Sequence, residues 1–332
     1  MSETILVTGG AGYVGSILVR RLLERDIRVV CIDNLMFGGE ALLDVWGHPN
    51  LRFVRGDIRD EQLMQSIFNE ESFHAVIHLA AIVGDPACAR EPEVTRSINW
   101  DASVNLLNLT RAHKVRRFIF ASTCSNYGKM ADPDGYVVED STLAPVSLYA
   151  ELKVAFEKLL LHEIEKSPEF VPTSLRFATV YGLSHRMRFD LTVNEFTKEL
   201  ALGKELVVFG EQFWRPYCHV ADFSNAMLAV LDAPEEKVAY DVFNVGDTSE
   251  NYTKGMLITE LLKVYPDANI KRVEKKEDPR DYRVRFEKIE NTLGFKISRT
   301  VPEGIREIHD VVTLGIIPEP ENQKYYNIPH SA

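Results

Sequence analysis

The sequence predicts an α/β fold, a doubly wound parallel sheet with a smaller C-terminal lobe. Three observations predict it. Strand-length apolar runs alternate with helical patterns through the first half, a glycine cluster joins the first run to the first helical pattern, and the texture changes near Tyr181. In order, Thr4-Ile5-Leu6-Val7 is a strand that stops at the glycines, and apolar residues recur at helical spacing from Val14 to Glu24. Arg28-Val29-Val30-Cys31-Ile32 is a second strand ending in Asp33, and Leu51-Arg52-Phe53-Val54 a third. Glu61 to Phe68 reads as a helix. Ala75 to Leu79, Arg117 to Ala121 and Ser174 to Phe177 complete the strands. Strands that are apolar almost throughout, separated by helices, belong to a parallel sheet covered on both faces. Beyond Tyr181 the connections lengthen. Helices are expected over Thr192–Leu202, Val220–Leu231 and Lys254–Tyr265, with a short strand at Leu206–Phe209. The pattern divides the chain into residues 1–180, carrying the sheet, 181–315, a lobe interleaved with it, and 316–332, a proline-bearing tail that wraps the surface or is loosely ordered.

Composition excludes several classes. With 332 residues and 45% hydrophobic content, the chain has ample material for a packed core. A formal net charge of −11 argues against sequence-independent nucleic-acid binding, which needs a basic patch to displace counterions. The Met1–Gly10 stretch lacks the basic and apolar regions of a secretory signal, and no apolar run approaches ~20 residues, so neither export nor a membrane span is expected. Cys31, Cys88, Cys124 and Cys218 are scattered without metal-ligand spacing, which fits a reducing, cytoplasmic compartment and no metal.

Gly9-Gly10-Ala11-Gly12-Tyr13-Val14-Gly15 follows the first strand and opens the first helix. Gly9 permits the tight turn, Gly12 lets backbone approach a pyrophosphate, and Gly15 lets helix and strand pack closely. The helix N-terminus supplies free N–H groups and a favourable dipole to the anion. Asp33, at the end of the second strand, stands where a carboxylate hydrogen-bonds a ribose diol. Glycine turn and acid together indicate a Rossmann-type dinucleotide site. The carboxylate repels a 2′-phosphate and the following Asn34-Leu35-Met36 offers no arginine, so NAD is expected over NADP. Asp57, with Ile58 after the third strand, is placed to reach the adenine amino group or, alternatively, to cap the next helix.

Tyr149 and Lys153 stand four residues apart in a segment of helical pattern, hence on one face. An ammonium beside a phenol favours the phenolate and lowers its pKa, so the tyrosine can exchange a hydroxyl proton while hydride passes to nicotinamide. Taken alone the spacing also suits a solvated helix face. The run Ala121-Ser122-Thr123-Cys124-Ser125-Asn126-Tyr127-Gly128 ends the fifth strand, where a hydroxyl meets the ligand crevice. Ser122 and Ser125 equally suit a turn. The order of these features along the chain, glycine turn, Asp33, hydroxyl strand end, Tyr149/Lys153, favours the catalytic reading.

On these residues the chain resembles the extended short-chain dehydrogenase/reductase family, in the branch of NAD-dependent nucleotide-sugar epimerases, dehydratases and dehydrogenases. The resemblance runs from Thr8-Gly9-Gly10 to about Ile308 and includes His78-Leu79-Ala80-Ala81, Asn99 and Val180-Tyr181-Gly182. It implies that residues 1–180 form the NAD-binding domain with the catalytic residues, and that 181–315 form the substrate-binding lobe. The implied cofactor site takes in Gly9, Gly12, Tyr13, Val14, Gly15, Asp33, Asn34, Asp57 and Ile58 from the first strands. Leu79, Ala80, Ala81, Asn99, Ala121, Tyr149, Lys153, Phe177 and Val180 complete it. Thr123, Tyr149 and Lys153 would be catalytic. Thr123, Ser125, Thr179, Arg188, Arg215 and Arg280 would hold the sugar nucleotide, the arginines because a planar fork donates paired bonds to phosphate. For Arg280 a surface ion pair is an equal alternative. A homodimer through helices at Asp101–His113 and Ala150–Glu163 is also implied, although a stripe such as Leu106, Leu107 and Leu109 reads as core.

Two departures from the family pattern matter. Dehydratases resembling this chain place an acidic pair after the Thr123 position, where this sequence has Cys124 and Ser125, so dehydration is disfavoured. Cys124 reads as a packing residue rather than a nucleophile. Thr179 stands where many members have asparagine. The segments Arg176–Gly182, Arg186–Leu191 and Asp278–Tyr282 are similar to those of GDP-heptose 4-dehydrogenases, which implies oxidation at C4 in bacterial surface-sugar synthesis. Epimerase, dehydrogenase and keto-sugar reductase share every residue named. A non-catalytic NAD sensor on the same fold would not need the full Thr123, Tyr149 and Lys153 set, and a steroid-type reductase fits neither Asp33 nor Arg215.

Overall fold

The computed structural model describes residues 3–130, 132 and 135–327. Seven parallel strands form its central sheet. They are β1 (Thr4–Thr8), β2 (Arg28–Asp33), β3 (Leu51–Arg55), β4 (Ala75–His78), β5 (Arg117–Thr123), β6 (Val171–Phe177) and a late strand, Asp241–Val245. Between the last two the chain makes β7 (Thr179–Tyr181), β8 (Leu206–Phe209) and β9 (Trp214–His219), so the late strand is β10. β11 (Asn251–Thr253) and β12 (Ile270–Val273) follow. The sheet order is β10-β6-β5-β4-β1-β2-β3. The chain therefore winds outward from β1 to β3, then returns to the other side of β1 as β4. That reversal between β1 and β4 is the switch point, and ligands of open parallel sheets bind at the carboxyl ends of the strands beside it.

Both faces are covered, which explains the unbroken apolar character of β1, β2 and β4. One face packs against the helices Gly15–Leu23 and Val220–Asp232. The other packs against Glu61–Glu70, Ser103–Ala112 and Leu148–Lys158, where Leu106, Leu107 and Phe156 are fully buried. The strands β1 to β5 and the helices Gly15–Leu23, Glu61–Glu70, Ser103–Ala112 and Val220–Asp232 fall where the sequence puts them to within two residues, whereas β6 begins three residues early. β10 is not among the strands read from the sequence. It extends the sheet beyond β6 in parallel register, Asp241 beside Thr173.

The lobe has its own core. The helices Thr192–Ala201, Lys254–Val264 and Val301–Thr313 pack with β8 around Val193, Leu206, Leu257 and Ile305. Two small sheets brace it, β11-β9-β7 and β12-β8. The last described residues lie against this lobe. Lys198 Nζ donates to the Tyr326 hydroxyl at 2.8 Å, and the Phe189 N–H donates to the Tyr325 carbonyl at 2.9 Å. Residues 328–332 of the tail lie outside the described residues. Two helices on the sheet's second face widen into π turns, at Ser97–Ala102 and Leu159–Glu163. Such turns recur near functional sites, and the first carries Asn99.

Candidate active site

The site is assembled at the switch point. Gly9 turns the chain out of β1 at φ +75, and a Cβ there would lie 2.8 Å from the Ala80 nitrogen, so only glycine fits between the two strand ends. At Gly15 a Cβ would lie 2.2 Å from the Gly9 carbonyl oxygen. Gly12 differs, because its Cβ would meet only that same carbonyl, at 3.2 Å. The space in front of the turn is open where backbone must approach an anion. Tyr13 and Val14 point the other way, into the protein. The Tyr13 hydroxyl donates to the Gly182 carbonyl at 2.5 Å, tying the turn to the lobe, and Val14 packs on the sheet core.

Asp33 is fixed rather than free. One carboxylate oxygen accepts from the Ala11 N–H at 3.0 Å and the other from the Leu35 N–H at 2.8 Å. Partial burial raises its pKa, and these two bonds oppose the rise. Asp57 holds Arg59 through both carboxylate oxygens and hydrogen-bonds Asn34. The helix that follows is capped by Asp60, which accepts from the Leu63 N–H. The capping alternative for Asp57 is thereby corrected; the second acid, three residues on, takes that role. Ile58 is buried in the core.

After β4, the segment Leu79-Ala80-Ala81 runs past the glycine turn. Asn99 fixes the next residue, accepting from the Ile82 N–H and donating to its carbonyl, each at 2.8 Å. His78 is buried between Thr8 and Ser103, at 2.8 and 2.9 Å. Burial drives its pKa down to about 3, so it is a neutral strut and not an acid or base.

Thr123 ends β5 and comes within hydrogen-bond reach of the Tyr149 hydroxyl. Ser147 caps the helix that carries the tyrosine, accepting from the Ala150 N–H, and itself donates to Asp85 at 2.7 Å. Lys153 is buried one turn on. Its Nζ donates to the Ala121 carbonyl at 2.6 Å, lies over the Phe120 ring at 4.6 Å, and stands 5.9 Å from the centre of the Tyr149 ring. Burial raises the Tyr149 pKa, helped by the nearby Cys88 and Asp85, while Arg188 and the Thr123 bond oppose it. Burial also pushes Lys153 down, to about 8. The hydrogen bond of the lysine goes to a backbone carbonyl, with its charge still facing the tyrosine ring. Arg188 is a positive group that favours the phenolate.

The remaining residues divide. Cys124 is fully buried, donates to the Arg176 carbonyl at 3.1 Å, and its thiol is driven far up by burial, as suits a packing residue. Ser125 hydrogen-bonds Tyr282, while Ser122 accepts from Asn126. The Phe177 ring is stacked on Phe223 at 4.0 Å inside the core, so only its backbone faces the cleft end of β6. Thr179 and Val180, in β7, are half-buried. None of the three expected anchoring arginines is free. Arg188 pairs with Asp190 through two bonds of 2.9 and 2.7 Å, Arg215 with Asp278 at 2.9 Å, and Arg280 with Asp85 at 2.7 Å. The pair foreseen for Arg280 thus forms, with the neighbouring Asp278 at 3.9 Å and more closely with Asp85, distant in sequence. Sequence reasoning missed Asp85, Ser147 and Arg186. Only the Gly84-Asp85 step, at φ +92, had a local signal in its glycine.

The model of the NAD dependent epimerase/dehydratase family matches residues 5–246. The chain belongs to that family. Its NAD and its enzymatic character follow, and the open face at Gly12, the anchored Asp33 and the buried Lys153 fit such a cofactor. Members similar to it include the UDP-glucose 4-epimerase of Halalkalibacterium halodurans, 30% identical over 277 residues that cover 78% of each chain. Among solved structures, the UDP-glucose 4-epimerase of Thermotoga maritima with UDP-glucose is 28% identical with a TM-score of 0.83. The UDP-glucose 4-epimerase of Thermus thermophilus in complex with NAD is 26% identical with a TM-score of 0.80. Each covers 94% of this chain and is itself covered to 99%. Among the described residues no helix is long and apolar enough to cross a membrane.

Proposed function

We propose that the protein oxidises C4 of a nucleotide-diphosphate sugar and returns the hydride to the opposite face, as a sugar-nucleotide 4-epimerase. The observation that carries this reading is the Thr123–Tyr149 pair at the end of β5, on the same carboxyl edge of the parallel sheet as the glycine turn that ends β1. NAD, when bound, supplies reversible hydride transfer. The rest is done by the chain. Thr123 orients the sugar hydroxyl and Tyr149 takes its proton. Lys153, anchored on Ala121, supplies a buried positive charge behind the phenol. Arg188, Arg215 and Arg280 serve the diphosphate, with Ser125 and Thr179 lining the sugar side. Cys124 and Ser125 offer no carboxylic acid for elimination, so the keto sugar is not dehydrated.

The names of the relatives support a uridine nucleotide. The Arg186–Leu191 and Asp278–Tyr282 motifs support the second reading, a net 4-dehydrogenase on a GDP-heptose in surface-sugar synthesis. NMR of products from UDP- and GDP-sugars separates them, since a C4 epimer of unchanged oxidation state supports the first and a released keto sugar the second. Tyr149→Phe is expected to lower kcat about 100- to 10,000-fold with NAD binding intact. Turnover near wild type would remove the tyrosine from the reaction. A homodimer through the helices Ser103–Ala112 and Leu148–Lys158 belongs to the same reading. Leu106 and Leu107 are spent on the chain's own core, so the contact would use the outward faces.

A further inference from the structure

Arg186 and Arg188 sit two residues apart in the connection from β7 to the helix Thr192–Ala201, and they differ in their partners. Arg188 is neutralised by Asp190. Arg186 is buried to 6% exposure, and its Nε and Nη2 have no hydrogen-bond partner among the described residues. Its guanidinium lies over the Phe37 ring, 4.1 Å from the centre. Burial depresses its pKa to about 10, with Arg188 adding to the fall and Asp190, Tyr13 and Asp33 opposing it. A buried cation with unmade hydrogen bonds is costly, and such groups persist where a ligand completes them.

The surroundings say which ligand. The connection lies directly on the glycine turn, since the Ser184 hydroxyl donates to the Tyr13 carbonyl at 2.5 Å and is 3.1 Å from that of Ser16. Phe37 belongs to the loop leaving β2 just after Asp33, and Asp33 is bonded to Ala11 within the turn. Arg186 therefore faces the gap between the anion-binding start of the helix Gly15–Leu23 and the ribose-binding acid. We infer that Arg186 is a ligand of the dinucleotide diphosphate, gripping the adenosine-side phosphate from the lobe, opposite the glycine turn. The inference rests on the turn and Asp33 being the dinucleotide site. Bound NAD is then held between two walls, and its release requires the Gly182–Asp190 connection to lift.

The test is calorimetric titration of nucleotide-stripped protein, wild type, Arg186→Met and Arg186→Lys, with NAD, NADP, ADP and adenosine. Loss of charge-assisted bonds to phosphate is expected to weaken NAD and ADP about 10- to 100-fold in Arg186→Met. Adenosine should bind unchanged, and Arg186→Lys should recover part of the loss. Urea unfolding without ligand should show Arg186→Met at least as stable as wild type. NAD binding within about twofold of wild type would overturn the inference, and so would an equal loss for adenosine, which would mean only loop packing. Weakening confined to NADP would assign Arg186 to a 2′-phosphate instead. Wild type binding neither NAD nor ADP would remove the dinucleotide site itself, a failure distinct from the others.

Discussion

Replacing Lys153 with methionine should make the ligand-free fold more stable while removing its activity. Lys153 is 5% exposed, and its charge is met by one backbone carbonyl, the faces of Phe120 and Tyr149 and, among the described residues, no carboxylate. Each pKa unit of depression represents about 1.4 kcal/mol of penalty on the charged folded form. The fall from 10.5 to about 8 thus amounts to about 3 kcal/mol at neutral pH. Methionine fills the same channel without charge. Leaving the Ala121 carbonyl without its donor returns about 1 kcal/mol. The net expectation is about 2 kcal/mol of stabilisation, read from urea unfolding at pH 7. The sign with pH follows from linkage. Between about 8 and 10.5 the unfolded chain still binds the lysine proton while the folded chain has released it. Wild-type stability therefore rises through this window relative to the variant, and the gap between the two closes. Turnover of the variant should fall at least about 100-fold. A less stable variant, or a stability gap that stays constant across pH, would refute the reasoning.

Asp33→Ser should raise the affinity for NADP relative to NAD at least about tenfold in direct titrations, because the carboxylate that repels a 2′-phosphate is gone; an unchanged ratio would remove Asp33 from the ribose. Arg176→Met should cost about 3 to 5 kcal/mol in urea unfolding, since it strands Glu157. Both side chains are almost wholly buried, and Glu157 is bonded to Arg176 and Ser174. The double variant with Glu157→Gln should recover part of that loss. A cost below about 1 kcal/mol would mean that water reaches the pair.

How much was legible in the sequence varies with how local the signal is. β1, β2 and β4 declare themselves because a strand covered on both faces has no polar side. β10 does not. Its Asn244 is fully buried and accepts from the Tyr127 hydroxyl at 2.7 Å, so a polar residue interrupts the pattern for a reason that lies 117 residues away. The start of β6 was hidden by Pro172, which lacks an N–H yet sits in a strand between two others and accepts from the Tyr240 N–H. At the site, the glycine turn, Asp33 and the Tyr149/Lys153 spacing were readable because each is a local motif. The direction of Lys153 was not, since it is set by a carbonyl 32 residues back. Nor was Asp85, which joins Arg280 across 195 residues.

The arginines of the cleft divide by partner, and the division follows from what each ligand does. Arg188, Arg215 and Arg280 each hold a carboxylate, and these are the residues proposed for a sugar nucleotide. A substrate leaves at every turnover, so its site must be stable when empty. An internal counter-ion keeps each guanidinium satisfied and oriented between turnovers, and the arriving diphosphate exchanges with it. At Arg280 that exchange reaches further. The acid it would release, Asp85, also holds Ser147, the cap of the helix carrying Tyr149, and raises the pKa of that phenol. Drawing Arg280 toward phosphate therefore changes the charge balance at the catalytic proton. Among the described residues Arg186 makes no such ion pair, and its Nε and Nη2 stay without a hydrogen bond. A guanidinium left unsatisfied suits a ligand that stays, because its site is rarely empty. If the proposed assignments hold, the arginine without a paired acid would mark a dinucleotide that stays bound, and the paired ones the sugar nucleotide that turns over.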